Sequence, residues 1–411
     1  SSDLDEISLE EDKNPRSPVL SNKIKWIIFN TFISVIVIVG IVLAVVFATK
    51  KKEEEEPEYI FSHNISYYQE YMRSIGEFLT VIQMDDGAIL NHRILTYAQT
   101  KMVPYFSCTA AEGFLASGNE SYYPRVKKFC EWYFNHLNRG VDENTLDGTI
   151  FDYYYQLISN NYDITTKKER DSEDSYAALF ISLLKNYADI TNDFDFLIAH
   201  RDDIDLIMSV LTSPKLLDNG LTFAKTSYKI KYTMDNSEVY SGFIAAEWIY
   251  RNVFNDNIQG DIFANHANVL SETFEKLLWK EEKQAYLYHA NQNLDNIDLT
   301  KFYPQGVVQL TSQMFNLIKP DGNRSQYLYK RFIETFPKWA TLEENTHPWG
   351  FAGRSLSMGH IWEPVEKWLD NVKEKYVNTG FRSGGFYSAE IGHTMIILKN
   401  IIDSKKCKFS N

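Results

Sequence analysis

The chain has 411 residues, 44% of them hydrophobic, which is enough for a large core in two or three domains or in one large helical barrel. The net charge is −13 without a basic stripe, which argues against nucleic-acid partners. Only three cysteines occur (Cys108, Cys130 and Cys407), so neither a disulfide framework nor a zinc site is indicated.

The N-terminal part of the chain predicts a membrane anchor. Residues 1–25 have the composition of a short disordered tail, and residues 26–49 carry no charge and are dense in Ile and Val. About 20 apolar residues span a bilayer, so 26–49 is predicted as a transmembrane helix, with 50–60 as a charged stalk. Lysines flank both ends, but sequons at Asn64, Asn119 and Asn323 favour an extracellular or luminal glycoprotein domain. We therefore predict a single-pass membrane protein.

Residues 61–411 show helical periodicity throughout. Even-numbered segments are apolar and rich in small residues, whereas odd-numbered segments carry a wide polar face, as expected for enclosed and outer helices respectively. Six such alternations predict an all-α fold, an (α/α)6 toroid of six helical hairpins. An open helical-repeat solenoid is the alternative, but no repeated sequence is present. Short extended pieces at 148–152 and 221–224 are predicted as loop hairpins. The twelve segments lie near 67–82, 104–117, 121–138, 174–190, 193–213, 235–254, 259–279, 300–318, 323–337, 348–358, 362–378 and 386–403.

The residues that lead into the even-numbered segments are rich in aromatic and acidic side chains. In a toroid these entries converge on one rim, where rings can stack on sugars and carboxylates can bind hydroxyls or move protons. The alternative is ordinary rim packing and helix capping, since Asp235 and Glu238 have the spacing of a capping box. The predicted substrate-binding residues are Tyr105, Tyr176, Tyr232, Glu238, Tyr240, Tyr303, Trp349 and Tyr387.

Glycoside hydrolysis normally needs two carboxyl groups, one protonated and one ionised. Asp235 and Asp86 are predicted as the first catalytic pair, with Asp174 and Asp152 as substitutes. The acids at 171–174 could bind calcium, but capping is the preferred interpretation, and no metal site is predicted. The chain has no P-loop, HExxH, CxxC or GxSxG motif, so no cofactor is predicted.

The entry segments resemble secreted bacterial proteins of the six-hairpin glycosidase-like superfamily over residues 84–395. The resemblance implies the toroid fold and a carbohydrate partner. A more distant likeness to family-eight glycoside hydrolases and related exopolysaccharide hydrolases implies that Asp235 acts as base. It also implies a glutamate acid at the entry of the second helix, where this chain has Lys101, with Glu112 two turns inside. The matching stretches are 86–90 (DGAIL), 103–107 (VPYFS), 132–138 (WYFNHLN), 148–153 (GTIFDY), 174–178 (DSYAA), 220–225 (GLTFAK), 230–236 (IKYTMDN), 238–240 (EVY) and 387–390 (YSAE).

Three functions are compatible with these residues. The first is hydrolysis of a polysaccharide or glycan by paired carboxylates at the rim. The second is a polysaccharide lyase, in which His347 or Tyr240 would be the base beside a charge-neutralising group. The third is a glycan-binding or scaffold protein without turnover, which the lack of a glutamate at the second entry favours. No oligomeric state is predicted.

Overall fold

The computed structural model describes residues 59–94, 98–158, 161–382, 384–404 and 408–409, and before them only 23, 24, 26, 31, 39 and 40. The chain divides into two compact units, 1–58 and 59–411. The predicted tail, span and stalk therefore lie almost wholly outside the described residues. Across the part of the chain that the structure describes, no helix has the length and apolar character needed to cross a bilayer. The localisation as a single-pass membrane protein is corrected on this finding.

Six inner segments form a closed ring in the second unit. Each contacts the next, and the last returns to the first. The segment at 302–314 is irregular, with π- and 3₁₀-helical turns before a short helix, and the other five are regular helices. The inner segments in ring order are α2 (Pro104–Ala116), α4 (Asp174–Thr191), α7 (Thr233–Asn252), 302–314 with α9 (Thr311–Met314), α11 (Gly350–Met358) and α13 (Ser388–Ile402).

Six outer helices pack against this ring, one beside each inner segment. Every predicted helical segment has its counterpart, which confirms a mostly helical toroid of six hairpins. Hydrophobic periodicity predicted these helices correctly because the outer helices bury one apolar stripe, whereas the inner helices bury nearly their whole surface. The outer helices are α1 (Ile65–Val81), α3 (Tyr123–Asn135), α6 (Arg201–Thr212), α8 (Asn257–Leu278), α10 (Asn323–Thr335) and α12 (Trp362–Val372), and the short α5 (Phe194–Ala199) precedes α6.

Small residues let the inner helices approach closely. A Cβ atom on Gly113 of α2 would lie 2.8 Å from the Cα of Gly392 on α13. A Cβ atom on Gly242 of α7 would lie 2.8 Å from the Cα of Ala178 on α4. Larger side chains at these contacts would push the helices apart, because packed interiors have few voids to absorb them. The small-residue composition of the inner segments therefore follows from ring closure.

Short strands occupy the connections between hairpins. The structure contains a three-stranded antiparallel sheet where a loop hairpin was predicted. The strand before α2 pairs with residues 153–156, which follow the predicted extended piece at 148–152, and a third strand pairs with the second. This sheet stands at the end of the ring where α2 begins. The strands are β1 (Ile60–Phe61) with β9 (Lys408–Phe409), β2 (Gln99–Met102) with β3 (Tyr153–Ile158) and β4 (Asn161–Thr165), β5 (Leu217–Asp218) with β6 (Leu221–Thr222), and β7 (Trp279–Lys280) with β8 (Ala285–Tyr286).

A buried carboxylate fastens the first hairpin to the last outer helix. Glu366 of α12 accepts hydrogen bonds from the Tyr59 hydroxyl at 2.7 Å and from the Ser62 amide at 2.8 Å, and also from the Tyr68 hydroxyl. Burial raises the pKa of Glu366, but these hydrogen bonds outweigh burial and bring the pKa below its ordinary value. The ionised carboxylate therefore stabilises the closure of the ring between its last and first hairpins.

Replacing Glu366 by glutamine is expected to lower the free energy of unfolding by about 1.5–3 kcal/mol at neutral pH, the usual range for hydrogen bonds to a charged group. The stabilisation is present above the pKa of the unfolded state and is lost as pH falls through the lowered folded-state pKa, below about pH 4. Urea denaturation at several pH values measures this difference. Glu363→Gln on the exposed face of the same helix is the matched control, and equal losses in both variants would contradict the prediction.

Candidate active site

The inner segments begin at one end of the ring, where their first residues contact one another. The Phe106 ring of α2 stacks on the Tyr387 ring before α13, with centroids 5.8 Å apart. The Glu390 carboxylate of α13 accepts a hydrogen bond from the Gly350 amide of α11 at 2.6 Å. The Tyr105 hydroxyl of α2 donates to Glu238 of α7 at 2.7 Å. We call this end of the ring the mouth.

Glu238 is a buried carboxyl at the mouth with one unsatisfied oxygen. Its side chain is 0% exposed, and Oε1 accepts the hydrogen bond from Tyr105. Among the described residues Oε2 has no hydrogen-bond partner. Burial, together with the nearby charges of Asp174 and Asp171, raises the pKa of Glu238 to about 8, although the Ser175 and Tyr105 hydroxyls oppose the shift. Glu238 is therefore mainly protonated at neutral pH.

Asp235 lies one turn before Glu238 and is partly buried. Burial raises the pKa of Asp235 well above its ordinary value, and the charges of Asp174, Glu238 and Asp171 raise it further. The capping alternative does not describe this residue, because the helix is capped at Tyr232 and no side-chain capping bond is found there among the described residues. Crowded carboxyls cannot all ionise, so Asp235 favours its protonated form.

Asp174 is fully buried at the start of α4 and is held by short hydrogen bonds. Its Oδ1 accepts from the Ser172 hydroxyl at 2.6 Å and from the Ser175 amide at 2.8 Å, and its Oδ2 accepts from the Thr222 hydroxyl at 2.6 Å. Burial raises the pKa of Asp174 to about 6, while these bonds oppose the shift. With both oxygens engaged, Asp174 joins α4 to the loop before α7.

Asp152 is also buried, but it has different partners. It forms an ion pair with Lys101 at 2.7 Å and accepts a hydrogen bond from the Tyr176 hydroxyl at 3.0 Å. Burial raises the pKa of Asp152, although the contact with Lys101 opposes the shift. Tyr176 is only 2% exposed, so its ring is not accessible for stacking at the mouth. Its contact at the site is the hydrogen bond to Asp152.

Asp86 is exposed, and its hydrogen-bond partners lie outside α7. It accepts hydrogen bonds from the Tyr155 hydroxyl of β3 at 2.7 Å and from the Ala88 amide at 3.0 Å. The same Tyr155 hydroxyl accepts from the Trp132 indole of the outer helix α3 at 3.0 Å. These contacts join Asp86 to the sheet and to an outer helix, and they do not connect it with Asp235.

Aromatic rings line the part of the mouth opposite α4. Tyr303 is 52% exposed, and its ring centroid lies 5.0 Å from that of Trp349 at an angle of 34°. Trp349 has a φ of 56°, in the left-handed region that non-glycine residues rarely adopt, and its buried indole nitrogen has no hydrogen-bond partner among the described residues. Such strain is typical of functional sites, which makes this pair a candidate ring-stacking surface.

The remaining predicted aromatic residues are spread around the mouth. The Tyr387 ring lies 5.2 Å from the His347 ring as well as against Phe106. Tyr232 caps α7, and its hydroxyl lies 3.1 Å from that of Tyr228. Tyr240 is partly buried two turns further into α7, where burial raises its pKa.

Glu390, in the first turn of α13, was not among the predicted site residues. Burial raises the pKa of Glu390 to about 7, although hydrogen bonds from the Gly350 and Trp349 amides oppose the shift. In the ring of six segments α13 is three positions from α7, so Glu390 lies across the mouth from Asp235. The sequence contained a signal for Glu390. It is the acidic residue of the entry at 385–390, just as Asp174 and Asp235 are acidic residues of the entries to α4 and α7.

A buried ion pair lies below the mouth. Arg354 of α11 donates to Glu112 of α2 at 2.9 Å, and Asn186 of α4 donates to the other Glu112 oxygen at 3.3 Å. His393 is buried beside them, and burial together with the Arg354 charge places the pKa of His393 well below its ordinary value. Glu112, the glutamate two turns inside the second helix, is therefore an ion-pair partner of Arg354.

The acids at 171–174 do not form a metal site. Among the residues that the structure describes, no group of three or more His, Cys, Asp or Glu side chains is arranged to hold a metal ion. Cys108 and Cys130 are buried free thiols.

No protein-family model and no curated protein matches the chain, but solved structures share its fold. A glycosidase solved in complex with glucose superposes with a TM-score of 0.55 at 11% identity, over 82% of this chain and 97% of its own. A rhamnosidase from Klebsiella oxytoca with rhamnose bound gives 0.50 at 9% identity, over 79% and 63%. An uncharacterised conserved protein from Thermus thermophilus gives 0.54 at 9% identity, over 80% and 99%.

These neighbours define the fold class of the protein. Its second unit has the toroid fold found in glycosidases, so the fold that the resemblance implied is confirmed. At identities of 9–12% the neighbours carry no residue roles, so the chemistry has to be argued from the mouth itself.

Proposed function

We propose that the protein is a glycoside hydrolase that acts on a polysaccharide or glycan at the mouth of the toroid. The observation that carries the proposal is a pair of carboxyls in different environments on opposed inner segments. Burial and the charges of Asp174, Glu238 and Asp171 raise the pKa of Asp235 and favour its protonated form. Burial also raises the pKa of Glu390, but the Gly350 and Trp349 amides oppose that shift and hold the pKa at about 7, so that Glu390 is partly ionised at neutral pH. Glycoside hydrolysis requires two such carboxyls, one protonated and one ionised.

In this proposal Asp235 is the general acid and Glu390 is the general base. Asp235 gives its proton to the glycosidic oxygen, while Glu390 takes a proton from the water that attacks the anomeric carbon. The distant family likeness implied a base at Asp235, but the like charges around it favour an acid. For carboxyls on opposed segments we expect a separation that admits a water between them, and therefore a product of inverted anomeric configuration.

The other predicted residues have supporting roles in the proposal. Tyr303, Trp349 and Tyr387 offer rings for stacking on sugar faces. Besides Asp235, α7 supplies Glu238, which Tyr105 orients and which is proposed to bind a sugar hydroxyl. The remaining predicted residues hold these groups in place or border the mouth, namely Asp86, Asp152, Asp174, Tyr176, Tyr232 and Tyr240.

The two alternatives have less support. A lyase needs a base and a cation that neutralises the carboxylate of an acidic sugar. Burial raises the pKa of Tyr240 and so opposes its use as a base, and Lys101, near the mouth, is already paired with Asp152. Glycan binding without turnover would use the same rings, and it differs from hydrolysis only in the absence of products.

A glycan panel tests the proposal with the full chain. Rhamnosides, glucosides and mannans are incubated with the protein and scored for new reducing ends, for ultraviolet absorbance of unsaturated ends, and by proton NMR for the anomer formed. We expect new reducing ends of inverted configuration, and Glu390→Gln should abolish them. Absorbing ends would establish a lyase instead. Glycan binding without any new ends would establish the non-catalytic alternative.

A further inference from the structure

A row of tyrosine rings leads away from the mouth along the loop before α7. The Tyr232 ring, at the start of α7, lies 5.0 Å from the Tyr288 ring and 6.3 Å from the Tyr228 ring, measured between centroids. The Tyr228 hydroxyl lies 3.1 Å from that of Tyr232, and Tyr228 is 49% exposed. The row therefore extends from the first turn of α7 into solvent on the loop at 223–231.

Tyr288 joins this row to the mouth. Burial raises the pKa of Tyr288, the hydrogen bond with Tyr232 opposes the shift, and the charge of Asp235 raises the pKa further. Burial also raises the pKa of Tyr303 to about 12, and the charge of Tyr288 adds to that shift. Because charges act on a pKa mainly at short range, Tyr288 lies close both to Asp235 and to Tyr303. The row is therefore continuous with the ring-stacking surface of Tyr303 and Trp349.

Two lysines at the outer end of the row have no carboxylate partner. The Nζ of Lys225 lies 5.9 Å from the centroid of the Tyr228 ring and donates to the Arg170 carbonyl oxygen at 3.2 Å. Lys229 is exposed, and its Nζ lies 5.6 Å from the centroid of the Phe223 ring. In the part of the chain that the structure describes, neither lysine forms an ion pair with a carboxylate. Both charges are therefore available to an anionic ligand.

The neighbouring charges do not cancel those of the two lysines. Lys231, the next cation in the loop, is paired with Asp218 at 2.7 Å and so adds no net charge. Burial is the main cause of the raised pKa of Asp235, and the charge of the exposed Asp171 contributes to it, so Asp171 lies toward the inner end of the row. The outer end of the row is therefore positive, whereas the acidic side chains lie at its inner end.

From this arrangement we infer that the loop at 223–231 forms a further sugar subsite, which binds an anionic unit of the glycan. The inference rests on the proposed function and names its substrate class, a glycan that carries a carboxylate or a sulfate on a unit away from the scissile bond. The half-exposed Tyr228 ring receives the face of that unit, and Lys225 and Lys229 donate charge-assisted hydrogen bonds to its anionic group. Because both lysines lie at the outer end of the row, they do not neutralise a sugar at Asp235, as a lyase would require.

The test compares neutral and acidic probes of equal length by isothermal titration calorimetry at neutral pH. The full chain carries Glu390→Gln, so that no probe is cleaved during the titration. The probes are hexaoses of glucose and of mannose, with copies of each that carry one uronate or one C6 sulfate on either terminal unit. We expect the better-placed acidic copy to bind about three- to tenfold more tightly than its neutral parent at low salt, because two exposed ion pairs are added, and the advantage to shrink as salt screens the lysines. A gain with one of the two anionic groups alone supports the inference and identifies the group that the subsite takes.

Variants of the lysines locate the effect. Lys225→Gln and Lys229→Gln should each bring the ratio of acidic to neutral affinity closer to one, whereas Lys225→Arg should keep it. Lys319→Gln removes an exposed lysine from the connection before α10, at the other end of the ring, and should leave the ratio unchanged. If the acidic copies bind no more tightly than their neutral parents, or if both glutamine variants keep the ratio, the inference fails while the proposed function stands. If no probe binds, both fail.

Discussion

Replacing Asp235 by asparagine is expected to lower kcat on a cleaved glycan by about 10²–10⁴-fold, the usual contribution of a general acid. The amide keeps the size of the side chain but cannot deliver a proton to the leaving oxygen. Because Asp235 is proposed to act in the transition state, KM should change little. Steady-state measurement of new reducing ends with the full chain gives both constants.

Asp86→Asn provides the matched comparison for this variant. Asp86 accepts hydrogen bonds from Tyr155 and from the Ala88 amide, neither of which belongs to α7, so its replacement should leave kcat within a few-fold of the parent. The sequence alone paired Asp86 with Asp235. If Asp86→Asn abolishes cleavage as completely as Asp235→Asn does, the sequence-based pair is right and the proposed role of Glu390 is wrong.

The pH profile separates the two proposed roles. Glu390 must be ionised to act as base, and its pKa of about 7 means that kcat/KM should fall as pH drops below about 7. Asp235 must be protonated to act as acid, so its raised pKa places the loss of activity on the alkaline side. In Glu390→Gln the acidic limb of any residual activity should disappear.

The sequence predicted the helices well because burial leaves a regular trace in it. Outer helices such as α12 alternate polar and apolar residues with helical spacing, and inner helices such as α13 are apolar almost all round. The inner segment at 300–318 was predicted as one helix but is irregular, since Pro304 and Gly306 interrupt its first turns. Composition alone did not show this break, because the apolar positions continue through it.

The site was harder to predict because it depends on contacts between distant segments. In the sequence, Asp86 and Asp152 both lie in segments that precede inner helices. Their partners, Tyr155 and Lys101, are distant in the chain and lie on the paired strands β3 and β2, so these contacts could not be predicted without the sheet. Conversely, Glu390 gains its role from its position across the ring from Asp235. Hydrophobic periodicity identifies which face of a helix is buried, but it does not determine which helix N-termini lie next to each other in the fold.

The ion pair below the mouth leads to the largest expected effect on stability. Arg354 and Glu112 connect α11 with α2, and their side chains are only 16% and 11% exposed. Removing the cation leaves a buried carboxylate without its counter-charge, which typically costs about 3–5 kcal/mol. We therefore expect Arg354→Met to lower the free energy of unfolding by about that amount, as measured by urea denaturation at neutral pH.

Two further variants show whether this loss of stability comes from a buried charge that has lost its counter-charge. Lys399→Met removes a cation from the surface pair with Asp403 and should cost less than about 1 kcal/mol. The double variant Arg354→Met, Glu112→Met removes both buried charges at once and should recover most of the stability, because apolar side chains of similar size often replace a buried pair at little cost. If the double variant is no more stable than Arg354→Met alone, the pair stabilises the ring through its geometry rather than by charge compensation, and Asn186 and His393 become the next residues to replace.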